Sequence, residues 1–420
     1  MAKATLLFLV SSDKHTGVGR EALWHAKLLA EAGYRVLFCC QQGGTLQERA
    51  EAVGVWHDAG LTLPTSGGFG AFPLDLWRIW RLARREAVSV VFTYRTADHL
   101  MAGLTLRRRV PIVRFLAGRQ SQSGMFPPTP SAIWLLMADW ASWVLAADPL
   151  DLGLATGLRR VVASEPVPEV SLDAGVTLDH QRARALVAGV DFIPGGVDTL
   201  HFTPDRGGAG IRRELGIGDE HVVVGLVAPL KEDRGHDLFL RAFAKAREQA
   251  PELRALLVAS STRKEREPIQ ALAAALGVGA QVAIFDAGSR FEEALAAIDI
   301  GFLAHPGSAG TGRAALELMS MARPMVLMMR SVLMYLCCGV GPSAIPADPA
   351  DLKPPAGVPR GDVPEDLPGF LARSLVELAR DPELRLRMGQ AGRALVEARF
   401  SRSALQRQLV ALVERLSAPV

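Results

Sequence analysis

At 420 residues the chain exceeds one ordinary core, and its length leads us to expect two or three domains. With 49% hydrophobic residues it can bury sizeable cores, which excludes global disorder. A formal net charge of +3 without a polybasic tail gives no composition-level case for nucleic acid. In chain order, Thr5–Val10 reads as a buried strand, its apolar run too short for a signal-peptide core. A turn-rich segment, Ser11–Gly19, leads to a helix over Arg20–Glu31, closed by Gly33, and to a strand over Tyr34–Cys40. Two strands joined by such a helix form a parallel unit. The helical pattern from Leu74 to Ala87 precedes strands at Val88–Thr93 and Val110–Phe115. The longest apolar stretch, Ala132–Ala147, is broken by Asp139 and falls short of the ~20 residues that span a bilayer, so no transmembrane segment is predicted. Leu158–Ala188 shows no assignable pattern, and Phe192–Pro194 reads as the last strand of the first series.

A second series follows the turn-rich segment Thr203–Gly210. Strands at Val222–Val227, Leu253–Ala259, Gln281–Phe285 and Ile300–Ala304 alternate with helices at Asp237–Glu248, Glu265–Leu276 and Phe291–Ile298. Pro342–Pro368 reads as a long surface loop, and helices return at Phe370–Arg380, Pro382–Ala398 and Ser403–Leu416. Continuous apolar strands alternating with helices indicate parallel sheets covered on both faces. The expected class is α/β, with two doubly wound domains in tandem over 1–204 and 205–400 and a last helix, about 403–418, able to pack back on the first.

In open parallel sheets ligands bind at the carboxyl ends of the strands. Two glycine loops stand there, His15–Arg20 (HTGVGR) and Gly307–Arg313 (GSAGTGR). Each precedes a helix whose unpaired N–H groups favour an anion, and glycine permits close approach of phosphate, although such loops are also glycine-rich for steric reasons. Neither loop carries the Gly-Lys-Ser/Thr ending of a phosphate-binding Walker sequence. Glu317 stands among Leu316, Leu318 and Met319. A buried carboxylate costs several kcal/mol unless paired, so three readings stand: exposure to solvent, a pair with Arg313 one turn earlier, or acceptance of hydrogen bonds from vicinal hydroxyls such as those of a ribose. The adjacent cysteine pairs, Cys39–Cys40 and Cys337–Cys338, read as reduced buried thiols, because neighbours in a strand face opposite ways.

Phe192–Pro204 (FIPGGVDTLHFTP) resembles the segment that joins the two domains of retaining family 4 glycosyltransferases of the GT-B fold, with Gly195 in place of the usual Asn. The TGVG loop, GLVAPLKEDRGHDLFLRAFA at 225–244, GTGRAALELMSMARPMV and DPELRLRMGQAGRALVEARFS at 381–401 extend the resemblance over most of the chain. It implies two Rossmann-like domains facing a central cleft, no cofactor, no metal, and transfer of a sugar with retention from a nucleotide-diphospho-sugar to an acceptor, expected to be a cell-envelope glycan or a lipid-linked acceptor. By the same resemblance Glu317 holds the donor ribose, Gly310, Thr311 and Gly312 face the diphosphate, Arg234 neutralises it, and Gly17 and Gly19 approach the donor phosphate and the sugar.

Departures accompany the match. Ala309 stands where the family has a sugar-binding Glu, and Pro229 where it has a phosphate-binding Arg. The first-domain histidine has no clear counterpart, Tyr94 or Ala117 aligning there, which leaves Asp98 and His99 as catalytic candidates by proximity. A degenerate scaffold that binds nucleotide or glycan with little turnover is the alternative. The basic clusters Arg78–Arg85 and Arg107–Arg119 read either as solvated surface or, with the tryptophans of the same half, as contact with anionic lipid. The expected location is cytoplasmic, with peripheral contact at the inner face of the membrane as a variant. No nucleic-acid partner is expected.

Overall fold

The computed structural model describes residues 3–15, 17–63, 72–116, 143–146, 190–192, 195–231, 234–303, 309–327, 344–346 and 366–417. The chain divides into two compact units: Met1–Gly195 with Ser403–Val420, and Gly196–Arg402.

The first unit begins with Thr5–Val10 (β1), Val18–Glu31 (α1), Arg35–Cys40 (β2) and Thr45–Ala52 (α2). Phe72–Arg85 (α3), Val88–Thr93 (β3), Thr96–Leu106 (α4) and Ile112–Leu116 (β4) follow, then Trp143–Ala146 (β5) and Val190–Phe192 (β6). All pair in parallel in the order β2-β1-β3-β4-β5-β6, with Leu7 of β1 opposite Leu37 on one side and Val91 on the other. Strand β1 lies between two neighbours and beneath helices, so Leu6 to Val10 are wholly buried. This is why it reads as an unbroken apolar run rather than an alternation. One face packs Leu7, Leu9 and Val91 under Ile79 and Leu82 of α3 and Met101 and Ala102 of α4. The order reverses between β1 and β3, and the crevice at such a point is where doubly wound sheets take ligands.

The second unit holds Ala209–Glu214 (α5), Val222–Val227 (β7), His236–Arg247 (α6), Leu253–Val258 (β8), Arg263–Ala275 (α7) and Val282–Phe285 (β9). Phe291–Ala296 (α8), Ile300–Leu303 (β10), Ala309–Ser320 (α9), Met325–Leu327 (β11) and Ala344–Pro346 (β12) complete its sheet, followed by Leu367–Arg380 (α10) and Pro382–Arg399 (α11). The sheet is again all parallel, ordered β12-β11-β10-β7-β8-β9, with its reversal between β7 and β10. Phe239 and Phe243 of α6 meet Phe302 of β10 and Leu371 and Leu375 of α10 in its core. The last helix, Arg402–Ser417 (α12), belongs almost wholly to the first unit, where Gln406 donates to the Leu28 carbonyl of α1 at 2.8 Å.

The structure differs from the sequence reading in three places that matter. Helix α9 starts at Ala309, so Gly310, Thr311 and Gly312 form its first turn rather than a loop. Strand β12 lies inside the proline-rich stretch expected to be loop, pairing Ala344 with Met325; as the edge strand of its sheet it tolerates Pro346. The passage between units falls at Gly195–Gly196, ahead of residue 204. Gly307 and Cys337–Cys338 lie outside the described residues, as do Trp134 and Trp140.

Candidate functional site

Two helix N-termini meet the carboxyl ends of the switch strands in the second unit. From β7 the chain turns through Ala228–Lys231 into α6, whose N-cap Gly235 takes a left-handed conformation (φ 77°) open to glycine at little cost. Arg234 precedes it, half-buried, its backbone N–H donating to the Lys231 carbonyl at 3.1 Å. His236 opens α6 and is buried. From the neighbouring β10 the chain enters α9, whose first turn carries Gly310, Thr311 and Gly312. Helices that follow parallel strands direct their unpaired amides toward the carboxyl edge, so this edge collects two positive dipole ends, with Arg234 immediately before the N-cap of α6. That arrangement suits a diphosphate.

Glu317 lies eight residues along α9 from Ala309, roughly 12 Å at 1.5 Å per residue. It is 3% exposed, between Leu316 and Leu318, and Arg313 Nε donates to its Oε1 at 2.9 Å. The solvent-facing reading is therefore excluded, and the pair with Arg313 is present. A carboxylate offers about four acceptor sites, and the Arg313 Nε–H bond uses one of them. The helix end beyond is fixed: Ser320 Oγ donates to the Phe202 carbonyl at 2.6 Å, and Arg393 donates to the Ser320 carbonyl, also at 2.6 Å. Glu317 thus stands on an immobilised element.

At the switch point of the first unit the two glycines part company. A Cβ on Gly19 would lie 2.4 Å from the Lys14 carbonyl, so close packing alone demands glycine there. Gly17 is exposed, holds φ at 49°, and a Cβ there would meet nothing within 4 Å, which leaves it open to a ligand. Asp98 is buried beneath this edge. Its Oδ1 accepts from Ser11 N at 2.8 Å and from the Ser11 hydroxyl, and its Oδ2 accepts from Arg95 N at 2.8 Å and Tyr94 N at 3.4 Å. Burial pushes its carboxyl up while these donors, led by the Ser11 hydroxyl, oppose the shift. Asp98 therefore staples the exit of β1, and the glycine loop it feeds, to the start of α4. His99 is buried beside it, Nδ1 at 3.3 Å from Thr93 Oγ1. Both are catalytic candidates by proximity along the chain; the structure places both inside, and bonds Asp98 to backbone and to Ser11.

Sequence reasoning missed a buried polar cluster at the same edge. His25, on α1, places Nδ1 2.8 Å from the Tyr94 hydroxyl and lies edge-on to Phe115. Burial lowers the His25 pKa to about 4 and raises that of Tyr94. Glu21, one turn earlier on α1, is buried too. Its spacing of four from His25 was the available signal. Cys39 and Cys40 are free and buried; burial pushes the Cys40 thiol up to about 12, which removes thiolate chemistry near neutral pH. Among the described residues no three His, Cys, Asp or Glu side chains gather as metal ligands.

Residues 15–148 match Glycosyltransferase Family 4, and residues 221–337 match Glycosyl transferases group 1. Among solved structures, the chain superposes over 100% of both lengths on a glycosyltransferase from Rickettsia africae ESF-5 at a TM-score of 0.74 and 15% identity. It superposes over 98% of its own length and 100% of the other on Anabaena Alr3699/HepE in complex with UDP and glucose, at 0.71 and 17%. This is the GT-B fold. In this GT-B chain the Family 4 match contains Gly17, Gly19, Asp98 and His99, and the group 1 match contains Arg234, Gly310, Thr311, Gly312 and Glu317. A curated relative, the GDP-mannose-dependent alpha-(1-6)-phosphatidylinositol monomannoside mannosyltransferase of Mycolicibacterium smegmatis, is 32% identical over 179 residues, 36% of this chain and 46% of its own. The D-inositol 3-phosphate glycosyltransferase of Corynebacterium jeikeium is 30% identical over 168 residues, 34% and 40% respectively. The matched region thus spans less than half the length of either relative.

Proposed function

We propose that the chain transfers a sugar, with retention of configuration, from a nucleotide-diphospho-sugar to an acceptor at the cell envelope, a glycan or a lipid-linked saccharide. The observation that carries this reading is that α6 and α9 follow the neighbouring strands β7 and β10, with Arg234 ahead of one and the buried Glu317 on the other, within the segment matching group 1 glycosyltransferases. Departure of a diphosphate builds negative charge on its oxygens, and preorganised donors at that place lower the barrier. The amides of Gly310–Gly312, Arg234 and the exposed Lys231 would supply them. Lys231 takes its place through a turn in which its N–H donates to the Pro229 carbonyl at 2.8 Å, so the residue that replaces the usual Arg still shapes the phosphate edge. Gly17 would approach the sugar. GDP and UDP are the first nucleotides to test, since the relative from Mycolicibacterium smegmatis is named for GDP-mannose and the Anabaena structure contains UDP. The proposed location is cytoplasmic, at the inner face of the membrane.

Ala309 and Pro229 favour a second reading, a scaffold that grips nucleotide but turns over little. Calorimetry with GDP and UDP, followed by a donor-hydrolysis assay, separates the two. Binding with turnover supports the transferase; binding without turnover for every common donor supports the scaffold; no binding at all sinks both.

Arg234→Ala is expected to weaken binding of the diphosphate about tenfold, as expected for loss of one charge-assisted contact, while leaving guanosine or uridine affinity nearly unchanged. Equal losses for nucleoside and diphosphate, measured by calorimetry, would remove Arg234 from the phosphate site.

A further inference from the structure

We infer that the outward stripe of α3 is a docking surface for an anionic lipid leaflet. The inference deepens the proposed function, because it rests on the reading of an envelope acceptor and names the surface that would meet it. Helix α3 is unusual in what it leaves uncovered. Ile79, Leu82 and Ala83 face the sheet and are buried, and Asp75 is turned inward to accept from Thr62 N at 3.0 Å and Leu63 N at 3.1 Å. With that acid withdrawn, Leu74, Trp77, Arg81 and Arg84 follow one another at spacings of three and four along the outer line of the helix. Leu74 is 46% exposed and Trp77 49%. Each arginine lies against a tryptophan, Arg81 at 5.2 Å from the Trp77 ring and Arg84 at 4.9 Å from Trp80.

A solvated basic face accounts for the arginines but not for a Trp and a Leu presented one turn apart beside them. Scattered apolar exposure is ordinary; an aligned Trp and Leu flanked by guanidinium groups fits the headgroup boundary of a bilayer, where the rings enter and the charges meet phosphate. Charge complementarity selects the leaflet. Among the described residues neither Arg81 nor Arg84 is ion-paired, whereas Arg85 is bound to Glu86 at 2.7 Å and Arg78 is held against the Gly60 carbonyl and Asp75. The second basic cluster is different in kind: Arg107, Arg108 and Arg109 follow the last turn of α4, where cations complement the helix dipole.

The direction of α3 adds to the case. Arg85 leads within three residues to Val88, so the helix runs antiparallel to β3 and its Leu74–Trp77 end lies toward the carboxyl edge of the sheet. Docking by that end would bring the edge where doubly wound sheets bind ligands close to the headgroups. A saccharide carried on a membrane lipid is presented at that level.

The test uses the full chain without donor and follows co-sedimentation with vesicles of phosphatidylcholine alone or mixed with phosphatidylglycerol. Binding is expected only to the anionic vesicles and is expected to weaken with salt as surface charge is screened. The double variant Arg81→Glu/Arg84→Glu is expected to lose at least about tenfold in partition, and Trp77→Ala severalfold, with thermal melting unchanged. The same charge change at Arg263 and Arg387, exposed residues of the second unit, should leave binding intact. Absence of anionic-vesicle binding, or equal losses from both double variants, would overturn the inference, as would binding to polyuridylate with none to vesicles. Because no donor is present, either failure leaves the nucleotide-binding results untouched, and a failed transferase assay leaves this one standing.

Discussion

Glu317→Ala is expected to weaken binding of a nucleoside diphosphate at least about tenfold, about 1.4 kcal/mol, and to destabilise the second unit. Both follow from one fact: the carboxylate is buried and bonded to Arg313. Removing one member of a largely desolvated pair typically costs about 3–5 kcal/mol. Stability alone therefore cannot establish a binding role, and the decisive comparison is between ligands and between variants. A group that holds ribose hydroxyls loses the same affinity for the free nucleoside as for the diphosphate, because both carry the ribose. The reverse pattern, loss for the diphosphate only, belongs to Arg234. Glu317→Gln sharpens the contrast, since it keeps the shape of the side chain and one acceptor oxygen but removes the charge. Arg313→Ala controls for the ion pair. Unchanged dissociation constants in Glu317→Gln, measured on folded protein, would leave Glu317 a helix residue with a salt bridge and nothing more.

The strands and the helices of strong period were legible because burial on both faces wrote itself into the chain as apolar runs. Val222–Val227 is one such strand, and both neighbours and both faces of its sheet are covered. Helix α4 escaped because its buried side mixes Asp98 and His99 with Met101, Ala102 and Gly103 while its exposed side carries Leu104, so no polar stripe marks its period. Strand β12 escaped because Pro346 argues against a strand unless an edge position is known, and an edge is a property of topology rather than of local sequence. The site shows the same division. Glu317 could be singled out because a carboxylate in an apolar run is costly wherever it lies. Whether it faced solvent or Arg313 depended on packing that no spacing rule supplies. Gly19 and Gly17 look equivalent in the sequence, yet the Lys14 carbonyl demands one and open space surrounds the other. Asp98 is bonded to Ser11, a residue 87 positions away, a partner that no local pattern around Asp98 indicates.

His25 sets a pH limit on the first unit. Burial among Phe115, Tyr94 and the core of α1 holds its pKa down to about 4, with Glu21 working in the opposite direction but more weakly. An unfolded chain returns it to about 6.5. Above that value the imidazole is neutral in both states and its burial carries no pH-dependent cost. As pH falls through the interval from 6.5 toward 4, the unfolded chain takes up a proton that the folded chain refuses, and stability is lost; below about 4 the loss levels off. At pH 5 the loss relative to pH 7 comes to about 2 kcal/mol. His25→Gln removes the titration while keeping a polar partner for the Tyr94 hydroxyl, so the variant should lose about that much less on acidification. Hydrogen exchange of the amides of β1 and β3 reads this directly, because their slowest opening reports the first unit without averaging over the second. The outcome bears on function as well as stability. Tyr94 leaves β3 at the switch point, and Asp98 bonds its backbone, so protonating His25 would press on the same strand exit that carries the glycine loop. Equal acid sensitivity in the wild type and in His25→Gln would mean that the imidazole titrates in the open, and that the contact with Tyr94 is not held in solution.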